Sequence, residues 1–476
     1  MLKNHIKEII QKKFGFRLTP DQGVLMEQLA DFVLSERDRQ VFVVRGYAGT
    51  GKTTLMGAFV RMLRELKFKT VLMAPTGRAA KVFAMYAGFQ AYTIHKQIYR
   101  QKDFKEGVGR FVLENNLYSG AFFIVDEASL LSNRVSADSG FGSGCLLEDL
   151  VRYVYNGKGC RLVLVGDTAQ LPPVGMEYSP ALDVSALSAM GLEVVSCSLR
   201  DVVRQAGSSG ILYNATKIRL LLDAGESVFP GIVTSGFPDI VQIGGNDFIE
   251  ALSDAYSRYG REETIVVCRS NKRANRYNQG IRNMVLSMEE EFSAGDFVMV
   301  VKNNYHWVSE NDRLDFVANG DIARIKRIGR YEERYGFRFL HADLILPDYE
   351  EYEFSAILLI DTLSQESPAL SSEDNKKLFH AVAEDYGHIK GASKRWAAVR
   401  EDPYFNALQV KFAYAVTCHK SQGGQWKAVF VDQGWFREDM LNADYLRWLY
   451  TAFTRSMDRL YLVNFDGRFF EEGPDF

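Results

Sequence analysis

The feature that most constrains this chain is a glycine-rich loop between an apolar run and a helical stretch. Residues 46–53 read GYAGTGKT, which fits G-x-x-x-x-G-K-[ST], and they follow the apolar run VFVV at 41–44. Glycines let backbone N–H groups wrap phosphate oxygens, and the helix N-terminus adds partial positive charge. The alternative, a glycine-rich turn that binds nothing, does not account for the strand and helix on either side. The loop therefore predicts a nucleoside triphosphate site in an α/β core.

Each position of this loop has an expected role. Lys52 is expected to reach the β and γ phosphates, and the hydroxyl of Thr53 to ligate Mg²⁺. The other positions expected to contact the nucleotide are Gly46, Ala48, Gly49, Thr50, Gly51 and Thr54. ATP and Mg²⁺ are thus the expected cofactors.

Two further apolar runs end in polar residues suited to hydrolysis. The run at 122–125 leads into Asp126 and Glu127, where a Mg²⁺-organising Asp and a water-activating Glu are needed. The run at 162–165 leads into GDTAQLPPVG, which places Gln170 beside the expected γ-phosphate. Asp126 standing alone could be a helix N-cap. Beside a phosphate-binding loop, the pair favours hydrolysis over simple binding.

The apolar runs predict two α/β cores, because continuous apolar strands separated by helices are typical of parallel sheets buried on both faces. The first set of runs lies at 41–44, 71–74, 122–125 and 162–165. The second set lies at 194–196, 264–268, 410–416, 428–433 and 459–464. Residues 295–360, with Asn-Gly at 319–320, predict a small antiparallel β-domain. A polar, partly helical segment is expected at 361–405, and a hairpin with its tip at 107–109 is expected over 102–113.

Composition excludes several classes of protein and gives little direction among the rest. The chain has 476 residues, and 57 basic against 60 acidic residues give a net charge of −3, so the overall charge does not favour nucleic acid. A local phosphate-binding groove remains compatible with that charge. No apolar run approaches the ~18 residues of a membrane span. The five cysteines show no C-x-x-C spacing and the N-terminus has no secretory pattern, so a reduced, cytoplasmic setting is expected.

The ordered motifs resemble those of a superfamily 1 helicase of the RecD/Dda-like branch, from Gln22 to Arg455. The segments that carry the resemblance are RGYAGTGKTT (45–54), APTGRAAK (74–81), TIHK (93–96), IVDEAS (124–129), GDTAQLPPVG (166–175), LRDVVRQ (199–205), YAVTCHKSQGGQW (414–426) and LYTAFTRS (449–456). One position departs from the branch, since Gln425 stands where many members have an acidic residue.

The resemblance implies an α/β architecture with two RecA-like parallel-sheet cores. The implied divisions are 1–97 and 119–190 for the first, ATP-binding core, 98–118 for a pin hairpin, 191–292 and 406–476 for the second core, and 293–405 for an inserted small β-barrel with a helical and polar arm. It also implies that Gln22 reads the adenine edge, that Gly424 contacts the nucleotide, and that Arg204 and Arg455 reach the γ-phosphate. If both cores contribute such residues, ATP lies in the cleft between them, and its binding and hydrolysis close and release that cleft.

The resemblance further implies which residues hold a nucleic acid strand. These are Pro75, Thr76 and His95 from the first core, Thr417, His419 and Lys420 from the second, and Phe104 and Phe111 on the pin. Hydroxyls, amides and a few cations contact phosphates without reading sequence, and aromatic rings stack on any base. The same Phe side chains could equally pack inward.

The function implied by the resemblance is ATP-dependent unwinding with 5′→3′ movement on single-stranded DNA, by a monomer acting at DNA forks. Single-strand-binding or recombination proteins are possible partners, and no membrane is expected. Two alternatives stay open: a non-unwinding ATPase subunit of a nucleic-acid-processing complex, and an RNA-directed helicase. The residues do not separate DNA from RNA, since that choice depends on tolerance of the 2′-hydroxyl. They also do not choose among DNA repair, recombination and replication.

Overall fold

The computed structural model describes residues 2–101, 111–135, 142–202, 209–308, 314 and 316–471. The helices are α1 (Leu2–Phe14), α2 (Pro20–Leu34), α3 (Lys52–Glu65), α4 (Gly77–Ala87), α5 (Ile94–Ile98), α6 (Leu146–Asn156), α7 (Val184–Ala189), α8 (Gly210–Ala224), α9 (Phe248–Tyr259), α10 (Asn271–Gly280), α11 (Ser372–Asp385), α12 (Ala392–Glu401), α13 (Cys418–Ser421) and α14 (Ala443–Phe453). The strands are β1 (Gln40–Gly46), β2 (Thr70–Ala74), β3 (Ala91–Thr93), β4 (Tyr99–Gln101), β5 (Phe111–Leu113), β6 (Phe122–Val125), β7 (Arg161–Gly166), β8 (Glu193–Leu199), β9 (Ile240–Ile243), β10 (Thr264–Cys268), β11 (Phe297–Val300), β12 (Ile322–Arg334), β13 (Phe337–Leu346), β14 (Tyr352–Leu359), β15 (Leu408–Phe412), β16 (Ala415–Thr417), β17 (Trp426–Asp432) and β18 (Ser456–Val463). In this described part, no helix is long and apolar enough to cross a membrane.

The first core is a six-stranded parallel sheet in the order β3-β2-β6-β7-β1-β8. The central strands carry the apolar runs identified in the sequence, and residues 41–44 and 122–125 are buried. Side chains on the two faces of the sheet enter two different hydrophobic clusters: Phe42 and Val44 in one, Val41 and Val43 in the other. A sheet covered on both faces explains why its strands read as continuous apolar runs.

The prediction that residues 194–196 belong to the second core is wrong. The run at 194–196 was expected in the second sheet, but β8 pairs in parallel with β1, from Gln40–Glu193 to Gly46–Leu199. The first core therefore extends to Leu199, beyond the boundary expected at residue 190. The pattern of apolar residues identifies a strand but contains no information about which neighbour it pairs with, because any buried parallel edge satisfies it equally.

The second core is a five-stranded parallel sheet in the order β16-β10-β17-β18-β9. The predicted runs at 264–268, 428–433 and 459–464 supply β10, β17 and β18. Helix α14 precedes β18 and is buried along most of its length. The prediction of two parallel α/β cores is confirmed.

The inserted domain is a closed barrel of the strands β11 to β15. Four of the five neighbouring strand pairs in the barrel are antiparallel, and the fifth pair, β14 with β15, is parallel. The domain is therefore not purely antiparallel, although the sequence predicts it to be. The run 410–416 was expected to be one strand of the second core. It is divided by a bend at residues 413–414: β15 closes the barrel and β16 joins the second sheet. Tyr414 fixes this bend by donating a hydrogen bond to Asp296 Oδ1 at 2.8 Å.

The segment between β14 and β15 forms the helical arm that the sequence predicts. Helices α11 and α12 pack on one side of the barrel through Leu378, Val382 and Val399, which contact a cluster that includes Phe339 and Leu359. The arm brings the chain back beside β14 in the same direction. This return explains the single parallel pair in the barrel.

The expected pin has its paired strands slightly earlier than predicted. Strands β4 and β5 form an antiparallel ladder from Tyr99–Leu113 to Gln101–Phe111, so the hairpin begins at Tyr99 and not at residue 102. Its predicted tip, residues 107–109, lies outside the described residues, as does Phe104.

Candidate nucleotide site between the two cores

The phosphate-binding loop joins the end of β1 to the start of α3. Gly49 and Gly51 have φ angles of +77° and +76°, which L side chains rarely adopt, so glycine is required at both positions. A Cβ on Gly46 would lie 2.6 Å from Cγ of Lys52, so a larger residue there would displace the Lys52 side chain. Helix α3 begins at Lys52, so the loop and the first turn point their free N–H groups at one place.

Thr53 and Asp126 come together at the loop as the sequence predicts. The Thr53 hydroxyl donates a hydrogen bond to Asp126 Oδ2 at 3.2 Å, and Asp126 Oδ1 accepts one from the backbone N–H of Glu127 at 2.9 Å. Burial, and next the charge of Glu127, raise the pKa of Asp126. A buried carboxylate beside a hydroxyl oxygen is a donor set suited to Mg²⁺, which is a hard cation that takes few protein ligands and completes its shell with water and phosphate oxygens.

Glu127 adopts an unusual backbone conformation. Its φ angle is +52°, in the left-handed region that non-glycine residues visit rarely, and the short helical turn 128–130 follows directly. Such a conformation costs of order 1–3 kcal/mol and tends to occur at functional sites. The kink turns the Glu127 side chain into the cleft that also holds Lys52.

Lys52 and Gln170 complete the contribution of the first core. The Lys52 ammonium donates a hydrogen bond to the carbonyl of Tyr47 at 3.0 Å and lies 3.8 Å from Asp167 Oδ2. Gln170 is 5% exposed, and within the described residues its amide oxygen Oε1 has no hydrogen-bond partner. Because an unpaired buried carbonyl is costly, Gln170 is set up to bind a group that enters the cleft.

Arg455 brings the second core to the same cleft. It is 2% exposed, and its guanidinium donates to the carbonyls of Gly424 (3.1 Å) and Thr451 (3.2 Å) and to the Thr454 hydroxyl (3.4 Å). All of these acceptors are neutral. A buried guanidinium held only by neutral oxygens retains its full charge for an incoming anion.

The cleft between the cores has a volume of about 1280 Å³ and is lined by residues from both sheets. The predicted residues that line it are Gln22, Ala48, Gly49, Gly51, Lys52, Thr53, Thr54, Asp126, Glu127, Gln170 and Arg455. Gly424 reaches this region through its carbonyl bond to Arg455. Gly46 and Thr50 belong to the loop that forms one wall. Arg204 lies outside the described residues.

The Gln22 side chain makes hydrogen bonds within the protein, in addition to its predicted contact with the adenine edge. It is fully buried; its Oε1 accepts a hydrogen bond from Thr19 N at 3.1 Å, and its Nε2 donates to the carbonyl of Thr50 at 2.9 Å. Thr19 in turn caps α2, with Pro20 at the first helical position. The amide thus ties the N-terminus of α2 to the phosphate-binding loop. These two bonds use one amide hydrogen and one lone pair of a side chain that also lines the cleft.

Two of the motifs that carry predicted nucleic-acid residues lie side by side where the two cores meet. The Thr76 hydroxyl caps α4, and a Cβ on Gly423 would lie 2.9 Å from its Oγ1, so the motifs 74–81 and 414–426 adjoin. Arg78 stacks over the Trp426 ring at 4.1 Å and donates to the Gln425 carbonyl at 3.0 Å. Because Arg78 contacts the backbone carbonyl of Gln425, this contact does not depend on which side chain stands at position 425.

The remaining residues predicted to bind the nucleic acid strand differ in their positions and in how deeply they are buried. Pro75 precedes the cap of α4, Thr417 precedes α13, and His419 is exposed. Burial lowers the pKa of His95 to about 4, so its imidazole is neutral at pH 7. Lys420 differs, because its Nζ is buried with no hydrogen-bond partner within the described residues. Burial, and next the nearby charge of Lys411, lower the pKa of Lys420 to about 8.

Phe111 is placed in an aromatic contact with the barrel. Its ring lies 4.1 Å from the ring of Tyr305, which in turn lies 4.8 Å from Phe316. The hairpin is thereby packed against the inserted domain. The sequence left open whether Phe111 packs inward, and the structure shows that one face of its ring does.

Several residues of the cleft were missed by the sequence. Tyr47 occupies a variable position of the loop pattern, yet its hydroxyl donates to Asp223 Oδ1 at 2.9 Å and Arg219 stacks over its ring at 4.5 Å. Tyr450 of the second core is hydrogen-bonded to Asp167 of the first. No local signal identifies these contacts, because each joins residues more than 170 positions apart.

Comparison with known proteins finds two family models that match parts of the chain. Residues 17–219 match the family described as an AAA domain, and residues 412–463 match the UvrD-like helicase C-terminal domain. The chain is 26% identical to the ATP-dependent RecD2 DNA helicase of Deinococcus radiodurans, over 66% of this chain and 40% of that protein. It is 22% identical to the ATP-dependent DNA helicase dda of Enterobacteria phage T4, over 82% of this chain and 86% of that one. Both of these relatives are named DNA helicases, and this chain is similar to them.

Among solved structures, the chain is similar to a Pif1 helicase from Bacteroides in complex with ADP-AlF3 and single-stranded DNA. The sequence identity is 16%, the match covers 96% of this chain and 95% of that chain, and the TM-score is 0.46. The chain spans about two fifths of the length of two of the curated relatives it matches.

Proposed function

We propose that the protein is an ATP-driven motor that moves 5′→3′ along single-stranded DNA and separates duplex DNA ahead of it. The observation that carries this proposal is the composition of the cleft. Lys52, the Asp126–Glu127 pair and Gln170 come from one parallel sheet, and Arg455 comes from the other. A nucleotide held by both cores makes differential contacts in the open and closed states, and this is the requirement for hydrolysis to drive relative motion.

In the proposed mechanism, each core supplies a different part of the reaction. Lys52 and the loop N–H groups bind the β and γ phosphates, and Thr53 and Asp126 would hold Mg²⁺, whose chemistry when bound would be to neutralise phosphate charge. Glu127 accepts a proton from the attacking water, and the Oε1 of Gln170 accepts a hydrogen bond from that water and so orients it. Arg455 stabilises charge on the transferring phosphoryl group.

The proposed path of the strand crosses the junction of motifs 74–81 and 414–426. Support comes from the buried Nζ of Lys420, which has no hydrogen-bond partner in the part of the chain that the structure describes, since such an ammonium is stabilised by an entering phosphate. Thr76 and the N-terminus of α4 add neutral donors of the kind that bind phosphates without reading sequence. The similarity to RecD2 and Dda, each named a DNA helicase, supports DNA as the substrate.

Lys420 allows a test of this path through pH. Because the pKa of Lys420 is about 8 in the free protein, its charge is present at pH 7 and is lost as the pH rises through 8. We expect the affinity for a fluorescent oligothymidine to fall about tenfold between pH 7 and pH 9.5. The variant Lys420→Arg should remove this pH dependence, since a guanidinium stays charged over the whole range.

The matched variants for this test are Lys420→Gln and Lys427→Gln. We expect Lys420→Gln to bind about tenfold more weakly at pH 7 and to reduce the slope of log affinity against log salt by about 0.7. Lys427 is an exposed lysine seven residues away, and its replacement should change neither value. Unaltered binding by Lys420→Gln would show that the strand does not pass Lys420.

The proposed function itself is tested with two fluorescent duplexes, one with a 5′ single-stranded tail and one with a 3′ tail, in the presence of ATP and Mg²⁺. We expect unwinding of the 5′-tailed duplex alone. Preference for the 3′ tail would contradict the proposed direction but not the motor. Strand-stimulated ATPase without unwinding of either duplex would favour an ATPase subunit, and the same assay on tailed RNA would identify an RNA-directed enzyme.

A further inference from the structure

Tyr450 of helix α14 reaches from the second core to the phosphate-binding loop of the first. Its hydroxyl accepts a hydrogen bond from the backbone N–H of Ala48 at 2.8 Å and donates one to Asp167 Oδ2 at 2.8 Å. Tyr450 and Asp167 are each 1% exposed. A single hydroxyl thus joins the loop, the end of β7 and the second core, and water does not compete for either bond.

Asp167 links this contact to the lysine that binds phosphate. Its other oxygen, Oδ1, accepts a hydrogen bond from Ala169 N at 2.9 Å, and its Oδ2 lies 3.8 Å from the Lys52 ammonium. Burial raises the pKa of Asp167, while Lys52 and the Tyr450 hydroxyl oppose that rise. If Lys52 turns towards a nucleotide phosphate, the Asp167 carboxylate loses this nearby positive charge. The hydrogen bond from the Tyr450 hydroxyl then contributes a larger share of its stabilisation.

The next residue of the helix holds the loop that carries Gln170. Thr451 Oγ1 accepts a hydrogen bond from Leu171 N at 2.8 Å, and Gln422 Nε2 donates to the Leu171 carbonyl at 2.7 Å. The second core therefore binds both backbone groups of Leu171, the residue that follows Gln170. The Tyr450 contact is thus one of several adjacent hydrogen bonds that join the two cores.

Arg455 follows Tyr450 by five residues and lies two residues beyond the end of α14. Its Nε donates to the carbonyl of Thr451 at 3.2 Å, so the end of α14 fixes the guanidinium. We propose that Tyr450 is the positioning residue that seats α14 on the phosphate-binding loop and thereby places Arg455 at the transferring phosphate. This inference rests on the proposed ATPase function of the cleft.

Removal of one oxygen tests the role of Tyr450. In Tyr450→Phe the ring still fills its site, but the N–H of Ala48 and a buried carboxylate oxygen of Asp167 lose their partner. We expect kcat for ATP hydrolysis to fall about 10- to 100-fold with KM changed less than threefold, because the loop still binds phosphate while Arg455 is displaced. The probe is ATP with Mg²⁺ and oligothymidine, at saturating strand.

The matched control is Tyr445→Phe on the same helix. The Tyr445 hydroxyl accepts a hydrogen bond from Gln433 Nε2 at 3.0 Å, inside the second core. We expect this variant to hydrolyse ATP at the wild-type rate. Thermal melting of both variants checks the fold, and a kcat loss in Tyr450→Phe at an unchanged melting temperature supports a positioning role.

A double variant distinguishes positioning from general damage. If Tyr450 acts through Arg455, then in the Arg455→Ala background the change Tyr450→Phe should alter the single-turnover rate less than twofold. A further loss as large as in the wild-type background would overturn the proposal, as would wild-type kcat in Tyr450→Phe alone. Absence of ATPase in the unmodified protein would instead contradict the proposed function, so the two failures are separate.

Discussion

Replacement of Lys52 by alanine is expected to abolish ATP hydrolysis while leaving the fold intact. The Lys52 ammonium lies at the end of the phosphate-binding loop, and among the described residues it bonds to the Tyr47 carbonyl and lies near Asp167. Loss of a preorganised donor to a transferring group costs about 10²- to 10³-fold in kcat, and loss of phosphate affinity adds to that. No contact of the hydrophobic core involves this ammonium.

The measurement is steady-state hydrolysis together with thermal melting, with and without ATP and Mg²⁺. Lys12→Ala, which removes an exposed lysine of α1, is the control and should retain wild-type values. We expect Lys52→Ala to melt at the wild-type temperature without nucleotide and to lose the stabilisation that bound nucleotide gives. Turnover within a few-fold of wild type would contradict the assignment of this loop to the nucleotide.

The parts of the site that could be predicted from the sequence are those encoded within a few consecutive residues. The phosphate-binding loop, the pair after β6 and Gln170 after β7 each follow a strand directly, and parallel strands bring their carboxyl ends to one edge of the sheet. The 3.2 Å contact between Thr53 and Asp126 is the direct result. The order of strand and polar residue is sufficient to place these groups in space.

The parts that could not be predicted depend on pairing between distant segments. The run at 194–196 satisfies any buried parallel edge, so its pairing with β1 follows from the tertiary fold. The bend at 413–414, which divides one apolar run between the barrel and the second sheet, depends on the contact of Tyr414 with Asp296. Local periodicity contains neither fact.

The same limit applies to the cross-core contacts. Tyr450 lies inside a motif that the sequence assigned to Arg455 alone, and Tyr47 lies at a position the loop pattern leaves variable. Their partners, Asp167 and Asp223, are carboxylates that the sequence does not distinguish from ordinary acidic residues. Only the arrangement of the two cores shows that these tyrosines connect them.

Replacement of Arg455 by alanine should separate binding from hydrolysis. The phosphate-binding loop, Lys52 and Thr53 all belong to the first core, so most of the affinity for ATP should survive without the guanidinium. Hydrolysis should fall about 10³- to 10⁵-fold, the range in which a missing arginine finger leaves the charge of the transferring phosphoryl group uncompensated. Lys52→Ala, by comparison, should lose both properties.

Fluorescent ATP-analogue binding and single-turnover hydrolysis measure the two properties of Arg455→Ala separately. Arg447→Ala on the same helix is the control, since Arg447 pairs weakly with Asp444 at 3.8 Å and its loss should leave both measurements unchanged. Hydrolysis at the wild-type rate in Arg455→Ala would show that the second core does not complete the site. In that case the nucleotide could not report its state to both cores, and the coupling of hydrolysis to movement would require contacts other than those at Arg455.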